Sequence, residues 1–402
     1  GPATTAGTGA GPPVVRGASE AGGGGTTAGR PGGGGAGGAL YGVIEAVAGG
    51  TATLDIAAGL TATGLVARLF TRRIGGVAVI GGVWRQETGL ASGHTDGLSA
   101  VEGSAMVLRR VDGFVFRDTQ LWVSQALGKT GGRFTLGIGD CASGIVDNTA
   151  ILQSAGDGVH LLGRCHEITI TGTHGCSMDD LVALGTRDGN TPSIYDVQGP
   201  IRDVVVRDTT GWHAWSAVKL YDRLETGFAA QPGNDMPFDR ISIDGVSGSY
   251  VEQYVSVEAN AHCDHLIIRR LLSALPDGKP AVNATAPYIG ILAVSESNYV
   301  KINPSDAEFV LESYAVPTRI SSIAVGGGAV EQSASNTLLR ILNPTKGAWA
   351  PAVKVADVYT MLTSKAADLT VCDISGISLV ALSGITAQSR SGYIVAARDT
   401  TL

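Results

Sequence analysis

Residues 157–184 read Asp157-Gly158-Val159-His160-Leu161-Leu162-Gly163-Arg164-Cys165-His166-Glu167-Ile168-Thr169-Ile170-Thr171-Gly172-Thr173-His174-Gly175-Cys176-Ser177-Met178-Asp179-Asp180-Leu181-Val182-Ala183-Leu184. Two apolar-flanked triplets, 159–161 and 182–184, stand 23 residues apart with a third, Ile168-Thr-Ile170, between them. Each is short and bounded by Gly, Asp, Ser or Thr, which is the punctuation of strands rather than helices. The pattern extends in both directions. One series runs Phe114-Val-Phe116, Gly144-Ile-Val146, Ile168-Thr-Ile170, Val204-Val-Val206, Ile241-Ser-Ile243 and Leu266-Ile-Ile268, at steps of 30, 24, 36, 37 and 25 residues. A second runs Phe134-Thr-Leu136, Val159-His-Leu161, Val182-Ala-Leu184, Val218-Lys-Leu220, Val255-Ser-Val257 and Ile291-Leu-Ala293, at steps of 25, 23, 36, 37 and 36. Two interleaved series sharing a period of 23 to 25 residues, lengthened where loops intervene, indicate a solenoid. The expected fold is all-β, a right-handed parallel β-helix whose coils each supply at least two short strands.

The cysteines fit this register. Cys141, Cys165 and Cys263 each lie three residues before a first-series triplet, where Val111, Ile201 and Phe238 stand in other coils. An all-apolar column is a core ladder, and a free Cys behaves there as a small buried hydrophobe. Adjacent rungs permit a Cys141–Cys165 disulfide without requiring one.

Composition excludes several functions. The net charge of −7 offers no basic field for a phosphate backbone, so nucleic acid is not an expected partner. No run reaches the roughly 18 apolar residues of a membrane span, so no insertion into a bilayer is expected. Residues 1–39 hold 16 glycines and three charged residues, and read as a flexible lead or attachment segment. Helical periodicity is confined to Leu40–Ala48. Residues 40–300 then form the β-helix, and 301–402 are further coils or a β-rich terminal module.

In this register Asp157 and Asp180 each precede their triplet by two residues, so they stack on neighbouring rungs roughly 5 Å apart, with Asp179 beside them. Clustered carboxylates raise one another's pKa, which lets an acid and a base coexist at neutral pH, as glycoside hydrolysis requires. The alternative is a solvated aspartate ladder at a β-turn, where Asp is common for its own hydrogen bonding.

The segments Asp140-Cys-Ala-Ser-Gly-Ile-Val-Asp-Asn148, Ser154-Ala-Gly-Asp-Gly-Val-His-Leu161, Glu167-Ile-Thr-Ile170 and Met178-Asp-Asp-Leu-Val-Ala-Leu184 together resemble the polygalacturonase family of glycoside hydrolases. The resemblance implies Asp179 as general acid on the leaving oxygen, Asp157 and Asp180 as the pair activating water, and an inverting outcome without a cofactor or metal. Gly49–Gly59 resembles the capping strand of phage tailspike and pectate-lyase-like β-helices, and Val79-Ile-Gly-Gly-Val-Trp84 their Gly-Gly-x-Trp turn. The family's Gly-His-Gly coil and Arg-x-Lys strand are missing. Thr173-His174-Gly175 precedes the Asp pair, and the next coil goes directly to Ala217-Val-Lys-Leu220, so galacturonan is not implied.

Lys219, on the strand position of His160, is expected to project outward as a basic contact or an ordinary solvated lysine. Trp212, His213, Trp215 and Tyr195, in the loop 185–200, are candidates to line a groove, with His160 and His174 as hydrogen-bond donors. A buried anchoring role is the alternative for each tryptophan. His262-Cys263-Asp264-His265 has a metal-like composition, but Cys263 belongs to the core column. The reading that follows is a glycan depolymerase acting on a bacterial surface polysaccharide, as in phage tails, homotrimeric and located in a virion tail or extracellularly. A non-catalytic glycan-binding fibre or adhesin and a polysaccharide lyase are the rivals.

Overall fold

The computed structural model describes residues 43–48, 51–55, 74–86, 104–125, 134–188, 198–223, 237–258, 261–272 and shorter strand segments between 282 and 398. Residues 1–39 and Tyr195 lie outside the described residues. The chain divides into two units, 1–71 and 72–402. In the first, Val43–Ala48 pairs antiparallel with Thr51–Asp55. The helical periodicity of Leu40–Ala48 gives way to this hairpin: β-branched Val43, Ile44 and Val47 favour a strand, and the intervening Gly49-Gly50 has the composition of a two-residue hairpin connection.

The second unit is a parallel β-helix with three strand columns, wound with the hand that strand crossovers take. The first column stacks Val77, Phe114, Gly144, Ile168, Val204, Ile241 and Leu266 and continues through Leu292 to Val380. The second stacks Met106, Leu136, Val159, Val182, Val218, Val255 and Val282 and continues to Val395. The third runs from Val83 through Gln120, Ala150, His174, Thr210 and Ser247 to Thr386. No helix among the described residues is long and apolar enough to cross a membrane.

Val159, Val182, Val218 and Val255 form one fully buried column, as the spacing requires. Two members of the expected second series are in other places. Asp157 pairs with Phe134 and Val159 with Leu136, so the stacked triplet is Leu136-Gly-Ile138, two residues on from Phe134-Thr-Leu136. Leu292 pairs with Leu266, which moves the Ile291 strand to the first column.

The corners explain the punctuation. Gly81, Asp118, Asn148, Gly172, Asp208, Gly245 and Arg270 all have positive φ two residues after a first-column triplet. Gly76, Gly113, Ser143, Glu167, Asp203 and Arg240 have it one residue before. This left-handed backbone is easiest for Gly, then Asn and Asp, which hold nine of these thirteen corner positions. Side chains then tie rungs together: Asn148 Nδ2 donates to Asp118 Oδ1 at 2.9 Å, and Ser143 Oγ to Glu167 Oε2 at 2.7 Å.

Cys141, Cys165 and Cys263 are buried free thiols in the core column with Val111, Ile201 and Phe238. Burial first, then Cys141 beside it, pushes the Cys165 thiol up to about 12. The His262 cluster is split. His262 bonds Asp264 at 3.0 Å and His265 bonds Asp239 at 2.7 Å, while Cys263 points into the core.

Candidate active site

Between the third and second columns each coil turns, and the residue two before the second-column triplet forms a polar row: Asp157, Asp180, Ser216 and Gln253, following Phe134. The backbone locks this row. Gly158 N–H donates to the Asp180 carbonyl at 2.9 Å, and Asp180 N–H donates to Asp157 Oδ1 at 3.1 Å. A Cβ on Gly158 would stand 2.5 Å from the Leu181 carbonyl oxygen, so the Asp157-Gly158 pair is dictated by how closely the rungs approach. Asp179, half-buried, donates its N–H to Gly156, and its carbonyl accepts the Trp215 N–H at 2.8 Å.

One carboxylate oxygen from each of Asp157, Asp179 and Asp180 lies within 4.8 Å of the others. Asp180 is 2% exposed, and its Oδ1 is buried without a hydrogen bond. Lys219 Nζ lies 3.2 Å from Asp180 Oδ2 and 2.7 Å from Glu258 Oε1. Burial raises the Asp180 pKa to about 7; Lys219 and a hydrogen bond from Ser216 pull it down, and the charges of Asp157 and Asp179 push it up. The oxygen donors also have the spacing of a hard-cation site, although an ammonium group already compensates part of their charge.

The outer row of the second column runs Gly137, His160, Ala183, Lys219 and Ser256. His160 and Lys219 share it as expected, but both are covered rather than solvated, at 1% and 8% exposure. His160 Nδ1 meets Asp157 Oδ2 at 2.7 Å, its Nε2 meets Tyr221 Oη at 2.9 Å, and Phe134 packs on its ring. Tyr221 reaches it from two coils away by crossing Gly185, where a Cβ would sit 2.7 Å from the tyrosine ring. Arg187 and Asp222 form a buried bidentate pair on the coils carrying Gly185 and Tyr221.

The structure thus brings together Asp157, Asp179, Asp180, His160 and Lys219, with Trp215 on the next rung. His174 is placed apart, in the third column, with Nδ1 on the Gly172 carbonyl at 3.0 Å. Trp212 and Trp215 are 45% and 43% exposed, and His213 between them is exposed too. Leu152, Met178 and Val251 are exposed as well. Tyr221, Ser216, Gln253 and Glu258 complete the site without having been singled out. Ser216 and Gln253 could have been found by asking which residue stands two before each triplet, and Tyr221 and Glu258 follow theirs directly.

No protein-family profile matches the chain, and no curated protein matches it. Among solved structures, it is similar to the endo-xylogalacturonan hydrolase from Aspergillus tubingensis, with 11% identity and a TM-score of 0.49 over 80% of this chain and 96% of that one. It is also similar to the alginate lyase from Paenibacillus sp. str. FPU-7, with 12% identity and a TM-score of 0.41 over 74% of this chain and 87% of that one.

Proposed function

We propose that the protein is a polysaccharide-degrading enzyme, a glycoside hydrolase working through Asp157, Asp179 and Asp180. The observation that carries this is three carboxylates within 4.8 Å of one another, one of them buried and raised to about 7. A decorative turn ladder would leave its carboxylates in water. Here the protein hides one, which keeps a proton in the cluster at neutral pH.

Asp179, the most exposed of the three, passes a proton that it shares with buried Asp180 to the leaving glycosidic oxygen as the anomeric carbon–oxygen bond breaks, and takes another from solvent afterwards. Asp157, held by His160, takes a proton from the water whose oxygen bonds that carbon, then releases it to solvent. Asp180 lies beside both and limits the charge of the cluster. The inverting outcome comes from the polygalacturonase resemblance. The carboxylate spacing does not decide it, being shorter than the roughly 6.5–9.5 Å of inverting pairs and the roughly 5–5.5 Å of retaining ones. The tailspike resemblance of Gly49–Gly59 and Val79–Trp84 supplies the phage-tail or extracellular setting.

The test is incubation with a panel of bacterial surface glycans, following new reducing ends, the ultraviolet absorbance of unsaturated products, and the first anomer formed. Hydrolysis releases ends without that absorbance, survives EDTA, and falls about 10²- to 10⁴-fold in Asp179→Asn with folding intact. Absorbing products would mean a lyase. Full turnover in Asp179→Asn would remove that residue from the acid role.

A further inference from the structure

Lys219 is the cation that reaches the aspartates among the described residues, and it is already engaged. Its ammonium lies between Asp180 and Glu258, 8% exposed. Arg187, on the neighbouring coil, is occupied by Asp222. With Asp179 carrying the proton it donates and Asp180 protonated, Asp157, beside His160, and Glu258 still stand against the one ammonium, and with Asp180 ionised three carboxylates do. A chain whose sugars carry carboxylate, sulfate or phosphate would bring like charge into a partly buried anionic site, where screening by salt is weak.

What the site does present is apolar. Trp212 and Trp215 are nearly half exposed, Trp212 at the end of the third-column pairing and Trp215 with its N–H on the Asp179 carbonyl. Large aromatic surface left in water beside a candidate reaction centre has a use if sugar rings stack on it, since the ring face is apolar while the edges remain solvated.

We propose that the substrate is an uncharged polysaccharide, seated on Trp212 and Trp215 by stacking, and that acidic glycans are turned away by the negative field of Asp157 and Glu258, which Asp179→Asn leaves in place. This rests on the hydrolase reading only in taking the aspartates as the point of cleavage.

The test uses the full chain with Asp179→Asn to prevent turnover, run in native gels containing neutral glucan, mannan, galactan or arabinan, or polygalacturonate and its carboxyl-reduced form. The last two share linkages and differ in charge. At least one neutral polymer should retard the protein equally at low and high salt, and Trp212→Ala/Trp215→Ala should lose at least tenfold in affinity. Trp212→Phe/Trp215→Phe, which keeps an aromatic face, should retain most of it. Retardation by the acidic polymer but not its reduced form overturns the proposal, as does retardation by none of them. Cleavage by the parent chain is scored separately. A neutral polymer bound but never cut would sink the hydrolase reading and leave this one standing, and an acidic polymer cut would do the reverse.

Discussion

At pH 4 a neutral Asp180 sits in its buried place at little electrostatic cost, whereas at pH 8 the same residue is an anion among anions. Its pKa is raised to about 7 from 3.8 in an unconstrained chain, so between these values the native state holds a proton that the unfolded state has lost. Stability must then decline as pH rises through that window and flatten above it. Asp180→Asn removes the decline. Its melting temperature should exceed the parent's by an amount that grows from pH 4 to 7, equivalent to at most roughly 4 kcal/mol, and then stays constant. A pH-independent difference would show that the carboxyl is not held under this tension. Tyr221, Gly185 and His160 offer a second test. Tyr221→Phe deletes the hydroxyl on His160 Nε2, and Gly185→Ala drives a methyl into the ring that carries it. Each should lower kcat and cost about 1–3 kcal/mol of stability. The double variant should be little worse than either alone, because both break one contact.

The repeating part of a second-column strand is a triplet, with two side chains inward and one outward. Val182→Asp places a charge in a fully buried column and should abolish cooperative unfolding or soluble expression, whereas a folded, stable variant would refute the register. The Val159, Val182, Val218 and Val255 strands were readable because β-branched residues recur at the same phase. Phe134 was misread because Phe134-Thr-Leu136 and Leu136-Gly-Ile138 both alternate, and period-2 patterning fits either register. The run Ile291-Leu-Ala-Val294 likewise satisfies both columns. The third column escaped because its members include Gln120, His174, Thr210 and Ser247 and its strands can be as short as His174–Gly175, leaving no apolar period to follow. At the site, the aspartate stacking followed from spacing alone. The covering of His160 and Lys219 did not, because it depends on Phe134 and Tyr221 contributed by other coils.

On the scale of the molecule, homotrimeric assembly goes with the tailspike resemblance, and sedimentation velocity checks it: one species near three times the 40.9 kDa chain mass is expected, and a 40.9 kDa species at all concentrations would refute it. Contacts in the β-helix are local along its axis, each coil stacking on the one before and the one after. Such an array has no central hub, and its coils open from the termini inward. The aspartate row and its lysine belong to interior coils, with at least two complete coils stacked on the N-terminal side and several on the C-terminal side. Amide hydrogen exchange should therefore trace a gradient along the chain, fastest in Ile74–Ile80 and Gly392–Arg398, slower by Asp157–Leu162 and slowest in the central coils that carry Val218–Leu220 and Val255–Val257. The flanking coils then serve as sacrificial ends, which can fray and re-form many times while the aspartate rungs stay shut.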